Sequence, residues 1–321
     1  MRADAGPTWR LPVQPLLGWA AAAVVLALTG CGGGQLGPSG WESSISDCLD
    51  PARSGSRDIE RNLAAIRKAP ICYRRQEVRE GAYRWVFHIL EHRKAADGPF
   101  WVLPHDNEDT AFDAAVYAIA TYGGGLLAVD SAGQRRFRGQ DPNRNFSSSA
   151  SESRRCVNQN APAPGYTAAI LAHYQGRRGP YLAMHNNYHG SEATGGRGSI
   201  SLYGARSGMH GFPSSTAIGP LRDEDNLVVI AGLGPPGSDP VARNQIAALN
   251  AAGLNVLYKQ VTERNFDCSL SDYLARHRRG PYYNIEAEHG QRGAQIDMVD
   301  RLMKMLGVKP LRRAAANPFL T

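Results

Sequence analysis

His105 and Glu108 stand three residues apart in Pro104-His105-Asp106-Asn107-Glu108, between the apolar run Phe100-Trp101-Val102-Leu103 and the segment Asp109-Thr110-Ala111-Phe112. An imidazole and a carboxylate at that spacing, where a strand gives way to a helix, suit two ligands of one zinc ion. Such a site needs a third ligand, a position left for a water whose pKa the metal lowers to about 7, and a base to take that water's proton. His185 directly follows the apolar run Tyr181-Leu182-Ala183-Met184 and is the third ligand we expect; His189, in a Gly-rich stretch, competes with it. Glu286 and Glu288 share one face of a strand-like segment, and either can be the base. Guanidinium groups for a developing oxyanion come from the basic loop holding Arg135, Arg136 and Arg138. Arg144 beside Asn143, in Asp141-Pro142-Asn143-Arg144-Asn145-Phe146, suits a substrate carboxylate, and Asp141 can orient a neighbouring group.

The elements that must position these groups read as follows. An amphipathic helix spans 57–68 on Ile59, Leu63 and Ile66, and Pro70 ends it. Tyr83, Trp85 and Phe87 alternate in a strand, the run 99–103 is a second, and the Ala-Asp-Gly turn at 96–98 predicts a hairpin between them. Asp109 is placed to cap a helix with Phe112, Val116 and Ile119 on its apolar face. Further strands are expected at 126–129, 179–184, 226–231, 254–258 and 282–288. Helices are expected at 166–174, 240–252, 270–277 and 294–306. Residues 189–220 read as long loops lining a site. Strands alternating with helices predict a single α/β domain over 45–321, with a mostly parallel mixed sheet and helices on both faces.

With 321 residues, 42% hydrophobic and 20% charged, the chain can bury a sizeable core. Residues 1–30 have the layout of a secretory signal: Arg2 and Arg10 flank a weak basic region, and 16–28 are apolar and Ala-rich. Leu28-Thr29-Gly30-Cys31 resembles the lipobox of bacterial lipoproteins. That resemblance implies a lipidated Cys31, membrane attachment through its lipid, and, with Gly32 following, the periplasm-facing side of the outer membrane. Residues 31–44 read as a Gly-rich tether. The four remaining cysteines of an exported chain suggest two disulfides, and we expect Cys48 with Cys72 and Cys156 with Cys268. None is in a CxxC spacing, which argues against a thiolate zinc site.

Taken together, HxxE after a strand, the Asn-Arg pair, a His at a strand end and a Glu on a late strand make the chain resemble the zinc carboxypeptidases and the related succinylglutamate desuccinylase and aspartoacylase group. Residues 141–146 are similar to the carboxypeptidase run Asp-Leu-Asn-Arg-Asn-Phe, and Arg136 matches the Arg-x4-Asp-Leu-Asn-Arg spacing of the aspartoacylase group. The resemblance implies His105, Glu108 and His185 as ligands of one zinc ion and Glu286 as base. It further implies Arg136 as the group polarising the scissile carbonyl, and Asn143 with Arg144 as the carboxylate grip. It also implies a Tyr that caps the substrate, for which Tyr258, Tyr273 and Tyr282 are open. Asp106 and Asn107 depart from the Gly common after the first His.

The function expected is cleavage of an amide beside a free carboxylate, in a peptide of the cell-wall kind or in an N-acyl amino acid. A non-catalytic binding lipoprotein of the same fold is the other class. The net charge of +7, or +6 without residues 1–30, favours acidic partners. The Arg pairs at 74–75, 154–155, 177–178 and 278–279 are scattered without a recognition helix or aromatic platform, which argues against a nucleic-acid partner.

Overall fold

The computed structural model describes residues 35–36, 40–158, 160–190, 200–203 and 208–311. The signal-like leader, Cys31 and most of the tether lie outside the described residues, as does part of the 189–220 segment. The strands are β1 (Gln35–Leu36), β2 (Trp41–Ile45), β3 (Ile71–Glu80), β4 (Tyr83–His92), β5 (Phe100–Leu103), β6 (Gly125–Val129), β7 (Tyr181–Asn187), β8 (Met209–Phe212), β9 (Leu227–Gly232), β10 (Asn255–Gln260) and β11 (Tyr282–Glu288). The helices are α1 (Arg57–Arg61), α2 (Leu63–Lys68), α3 (Asp109–Tyr122), α4 (Ala150–Ser153), α5 (Pro164–Ala172), α6 (Pro240–Ala251), α7 (Leu270–Arg276) and α8 (Arg292–Met305). None of them is long and apolar enough to cross a membrane.

All the strands join one mixed sheet of order β1-β2-β3-β4-β6-β5-β7-β11-β9-β10-β8. Neighbours run parallel through β6-β5-β7-β11 and again in β9-β10. The remaining six pairings are antiparallel, so the expectation of a mostly parallel sheet is corrected. The antiparallel share comes from strands that the sequence pattern hides. β3 carries Arg74, Arg75, Glu77 and Arg79, yet it forms the long hairpin with β4, turning at Gly81-Ala82; Arg75 and Arg84 both pair with Glu77. Residues 41–45, of which 41–44 are expected to be tether, pair with β3 as a strand.

The expected hairpin between β4 and β5 does not form, because β6 lies between them. All four residues of β5 are buried, and such a strand is satisfied only with neighbours on both sides. Close approach at the end of α3 allows the insertion. Gly124, at φ +77°, packs on the Pro99 carbonyl so tightly that no side chain fits.

Each face of the sheet has its own core. On one, Trp101, Leu103, Leu182 and Ile285 pack with Ile59, Ile66, Phe112, Val116, Leu249 and Val299 from α1, α2, α3, α6 and α8. On the other, Trp85, Phe87, Phe100, Val102 and Ala183 pack with Tyr166 and Ile170 of α5 and Leu270 and Leu274 of α7. Helices thus cover both faces, as expected.

Both disulfides form as expected, with Cα separations of 5.4 Å for Cys48–Cys72 and 5.6 Å for Cys156–Cys268. The second spans 112 residues, and beside it Phe146 N–H donates to Cys268 O and Val157 N–H to Phe266 O. It therefore ties the segment after Asn143-Arg144 to the loop before α7. Closing so long a loop contributes roughly 4 kcal/mol. Replacing both Cys156 and Cys268 by Ser should lower the midpoint of thermal unfolding by about 10 °C, read by calorimetry.

Candidate metal centre and cavity

His105 leaves the end of β5 two residues after Leu103, Glu108 sits at the N-cap of α3, and His185 lies within β7. β5 and β7 are adjacent and parallel, which brings the three together. His105 Nδ1 lies 2.8 Å from Glu108 Oε1 and 3.1 Å from His185 Nδ1, and His185 Nδ1 lies 2.9 Å from Glu108 Oε2. All three residues are buried. Donor atoms on tetrahedral zinc at bond lengths of 2.0–2.1 Å stand about 3.3 Å apart, so a small outward relaxation of this triad admits an ion. His105 Nε2 donates to Asp141 Oδ1 at 2.8 Å, which keeps the proton there and leaves the Nδ1 lone pair for a metal. The donor set of two imidazoles and one carboxylate therefore fits a divalent cation of the zinc class. Burial alone would raise the Glu108 pKa; the two imidazoles win and hold it well below the usual carboxylate range. Burial likewise opposes a charged His105, but Glu108 and Asp141 raise its pKa.

The expected cap of α3 is corrected: Asp109 is its first residue, and the N-cap is Glu108, whose carboxylate makes no capping bond because it faces the histidines. Asn186 takes over that task, its Oδ1 accepting from Ala111 N at 2.9 Å. Asn186 Nδ2 donates to Gln295 Oε1 at 3.0 Å, and Gln295 Nε2 donates to His185 O at 2.9 Å. Two buried amides thus lock β7, α3 and α8 together around the triad. Replacing Asn186 by Leu should weaken zinc binding about 10–100-fold, the usual effect of losing a group that orients ligands. A zinc titration of the stripped protein checks this.

The triad opens into a cavity of about 510 Å³ that Glu286, Asn143, Arg144, Arg135 and Tyr282 also line. Glu286 is the register partner of His185 across β7 and β11; its Oε1 accepts from Asn284 Nδ2 at 2.9 Å, and burial raises its pKa. Glu288 and His189 lie outside this cavity. Asp141 caps a short 3-10 turn, Pro142–Arg144, through Asn143 N. Asn143 Nδ2 is 3.4 Å from His185 Nε2, and its Oδ1 accepts from Leu270 N.

Arg136 is not brought to the cavity: its Nη1 donates to Gly139 O on the exposed loop, and Arg138 donates to Ala82 O. Arg135 is the guanidinium that enters, donating to Glu108 Oε1 at 2.9 Å. Asp106 explains why. Its Oδ2 accepts from both Ser131 N and Gly133 N at 2.7 Å, which holds the turn that launches Arg135. Of the three Tyr candidates only Tyr282 lines the cavity; Tyr258 donates to Gly234 O, and Tyr273 stacks on His277.

Further along the cavity wall stand residues that motif spacing does not reach. Arg144 Nε is 3.2 Å and Lys259 Nζ 3.0 Å from Asp267 Oδ2, and Lys259 Nζ is 2.7 Å from Asp272 Oδ1. Burial opposes charge on both carboxylates; Arg144 and Lys259 nevertheless hold the Asp267 pKa low, and Asp267 beside it raises that of Asp272. Exposed Tyr188 lines the cavity as well.

No protein-family model and no curated protein matches the chain. Among solved structures, it is similar to a "putative metallopeptidase" of Shewanella amazonensis SB2B, at 13% identity and a TM-score of 0.37 over 72% of this chain and 85% of that one. A "putative metallopeptidase" of Shewanella denitrificans OS217 is similar at 11% identity and a TM-score of 0.40, over 79% of this chain and 89% of that one.

Proposed function

We infer that the chain is a zinc-dependent hydrolase that cleaves an amide bond next to a free carboxylate, in the manner of a carboxypeptidase. The observation that carries the reading is that one cavity is lined by the buried His105, Glu108 and His185 together with a carboxylate, Glu286, and two guanidinium groups. Zinc, when bound, supplies Lewis acidity toward a carbonyl and toward water. Glu286 accepts the proton of the attacking water on Oε2, which makes no hydrogen bond among the described residues, and returns it to the leaving amine. Arg135, rather than Arg136, stabilises the charge that develops on the carbonyl oxygen. Arg144 takes the free carboxylate of the substrate. Its Nε and Nη1 are engaged by Asp267 and by Asn143 O, and its Nη2 makes no hydrogen bond among the described residues. Asn143 stands beside His185 on the same turn, where its Nδ2 can donate to that carboxylate.

We also propose that the domain is anchored through a lipid on Cys31 and faces the periplasm, where peptides of the cell wall are its substrates. Turnover of a peptide panel against a panel of N-acyl amino acids tests the reading. Release of C-terminal residues from peptides supports it, and hydrolysis of N-acyl amino acids alone would move the chain to the amidoacylase class.

A further inference from the structure

His189 and Glu288 take no part in the first metal centre, yet they come together. β7, β11 and β9 are consecutive in the sheet, and β9 runs against β11, so the segment after β7, the turn before β9 and the end of β11 meet at one edge. There His189 Nδ1 lies 3.5 Å from Glu288 Oε1 and 3.9 Å from Asp225 Oδ2. Ligand atoms of His189, Asp223 and Glu288 all lie within 4.8 Å of one another. These separations are long for hydrogen bonds. The two His189 distances fall in the range of donor atoms around a divalent ion with bonds of about 2.0–2.2 Å, which stand about 3–4.4 Å apart.

A second observation points to a cation. Asp225 is fully buried, and its Oδ1 has no hydrogen-bond partner among the described residues, while its Oδ2 accepts from Gly190 N at 2.6 Å. Among the described residues no Lys or Arg forms an ion pair with Asp223, Asp225 or Glu288; His189 pairs with Asp225 and Glu288, and Gln291 Nε2 donates to Glu288 Oε2. A buried carboxylate oxygen that accepts no hydrogen bond is stabilised by a positive ion beside it.

The geometry points to a second divalent-cation site, formed by His189, Asp223 and Glu288 with the buried Asp225 carboxylate beside His189, and separate from His105, Glu108 and His185. The imidazole selects an ion of the zinc class over calcium or magnesium. An ion held there ties the end of β7 to the β9 turn and to β11, and so fixes Tyr188, the neighbour of His189, at the cavity mouth.

Calorimetric titration of the chelator-stripped full chain with zinc chloride alone tests the site. Two equivalents are expected in the wild-type protein, and one in each of the variants His189→Ala, Glu288→Gln and His105→Ala. His189 is exposed and Glu288 partly exposed, so neither change threatens the fold. A wild-type protein that binds one equivalent, lost in His105→Ala, overturns the second site. Two equivalents that persist in both His189→Ala and Glu288→Gln overturn it as well. One equivalent that His189→Ala abolishes and His105→Ala leaves intact supports the second site and removes the first.

Discussion

Replacing Glu286 by Gln should lower turnover about 10²–10⁴-fold and leave zinc affinity within a few-fold of the wild-type value. The substitution preserves shape and the bond from Asn284, whose Nδ2 can still donate to the amide oxygen. What it removes is the ability to take and return a proton. Glu286 is not one of the three grouped ligands, so metal binding does not depend on it. Its placement supports the assignment: it stands beside His185 in the β7/β11 register, and its neighbours Ile285 and Ala287 are buried in the opposite core, which fixes the strand's orientation. Steady-state kinetics with a parallel zinc titration separate the two effects. A fall in kcat accompanied by loss of metal would make Glu286 a ligand rather than a base.

The second large effect is one of stability. Asp267 is the shared counter-charge of Arg144 and Lys259, and replacing it by Ala leaves Arg144 without that partner and Lys259 with Asp272 alone. Removing one member of a buried ion pair costs about 3–5 kcal/mol because the other charge remains in a poorly solvated place. The unfolding midpoint should fall by about 10 °C. The pH dependence gives a further check. The Asp267 pKa is lower in the folded than in the unfolded chain, so its contribution is present above about pH 4 and is lost as acidification protonates it. The stabilities of wild type and Asp267→Ala should therefore converge on acidification below about pH 4. A difference that stays constant into that range would mean that the charge on Asp267 is not what stabilises.

The parts of this site that are legible in sequence are those where chemistry and local structure coincide. His105 and Glu108 bracket a strand-to-helix junction, Asp141-Pro142 announces the turn that presents Asn143 and Arg144, and Glu286 sits in an apolar strand. The central block of strands also follows from its apolar runs. What stays hidden depends on long-range partners. β3 looks too charged for a sheet until Arg75 and Arg84 are seen paired with Glu77. The direction of a strand is set by the neighbour it meets, so the antiparallel outer strands could not be read from alternation. Arg135 and Arg136 are adjacent in a loop, and only the grip of Asp106 on Ser131 and Gly133 decides which one turns inward. Asp106 was conspicuous as a departure from glycine, but its partners lie 25 and 27 residues away. Asn186, Gln295, Lys259 and Asp267 carry no motif at all, and their roles arise from packing between elements distant in the chain.

We propose that Arg144 holds a free carboxylate while the amide next to it is cleaved. The most direct measurement compares zinc-loaded protein on matched substrates, peptides and N-acyl amino acids that differ only in a free or an amidated terminal carboxylate, before and after removal of metal by chelator. We expect hydrolysis of the free-carboxylate members, loss of at least two orders of magnitude on amidation, and recovery of chelator-abolished activity on adding zinc back. Equal turnover of both forms, or no turnover of either by protein shown to hold zinc at His105, Glu108 and His185, would contradict it.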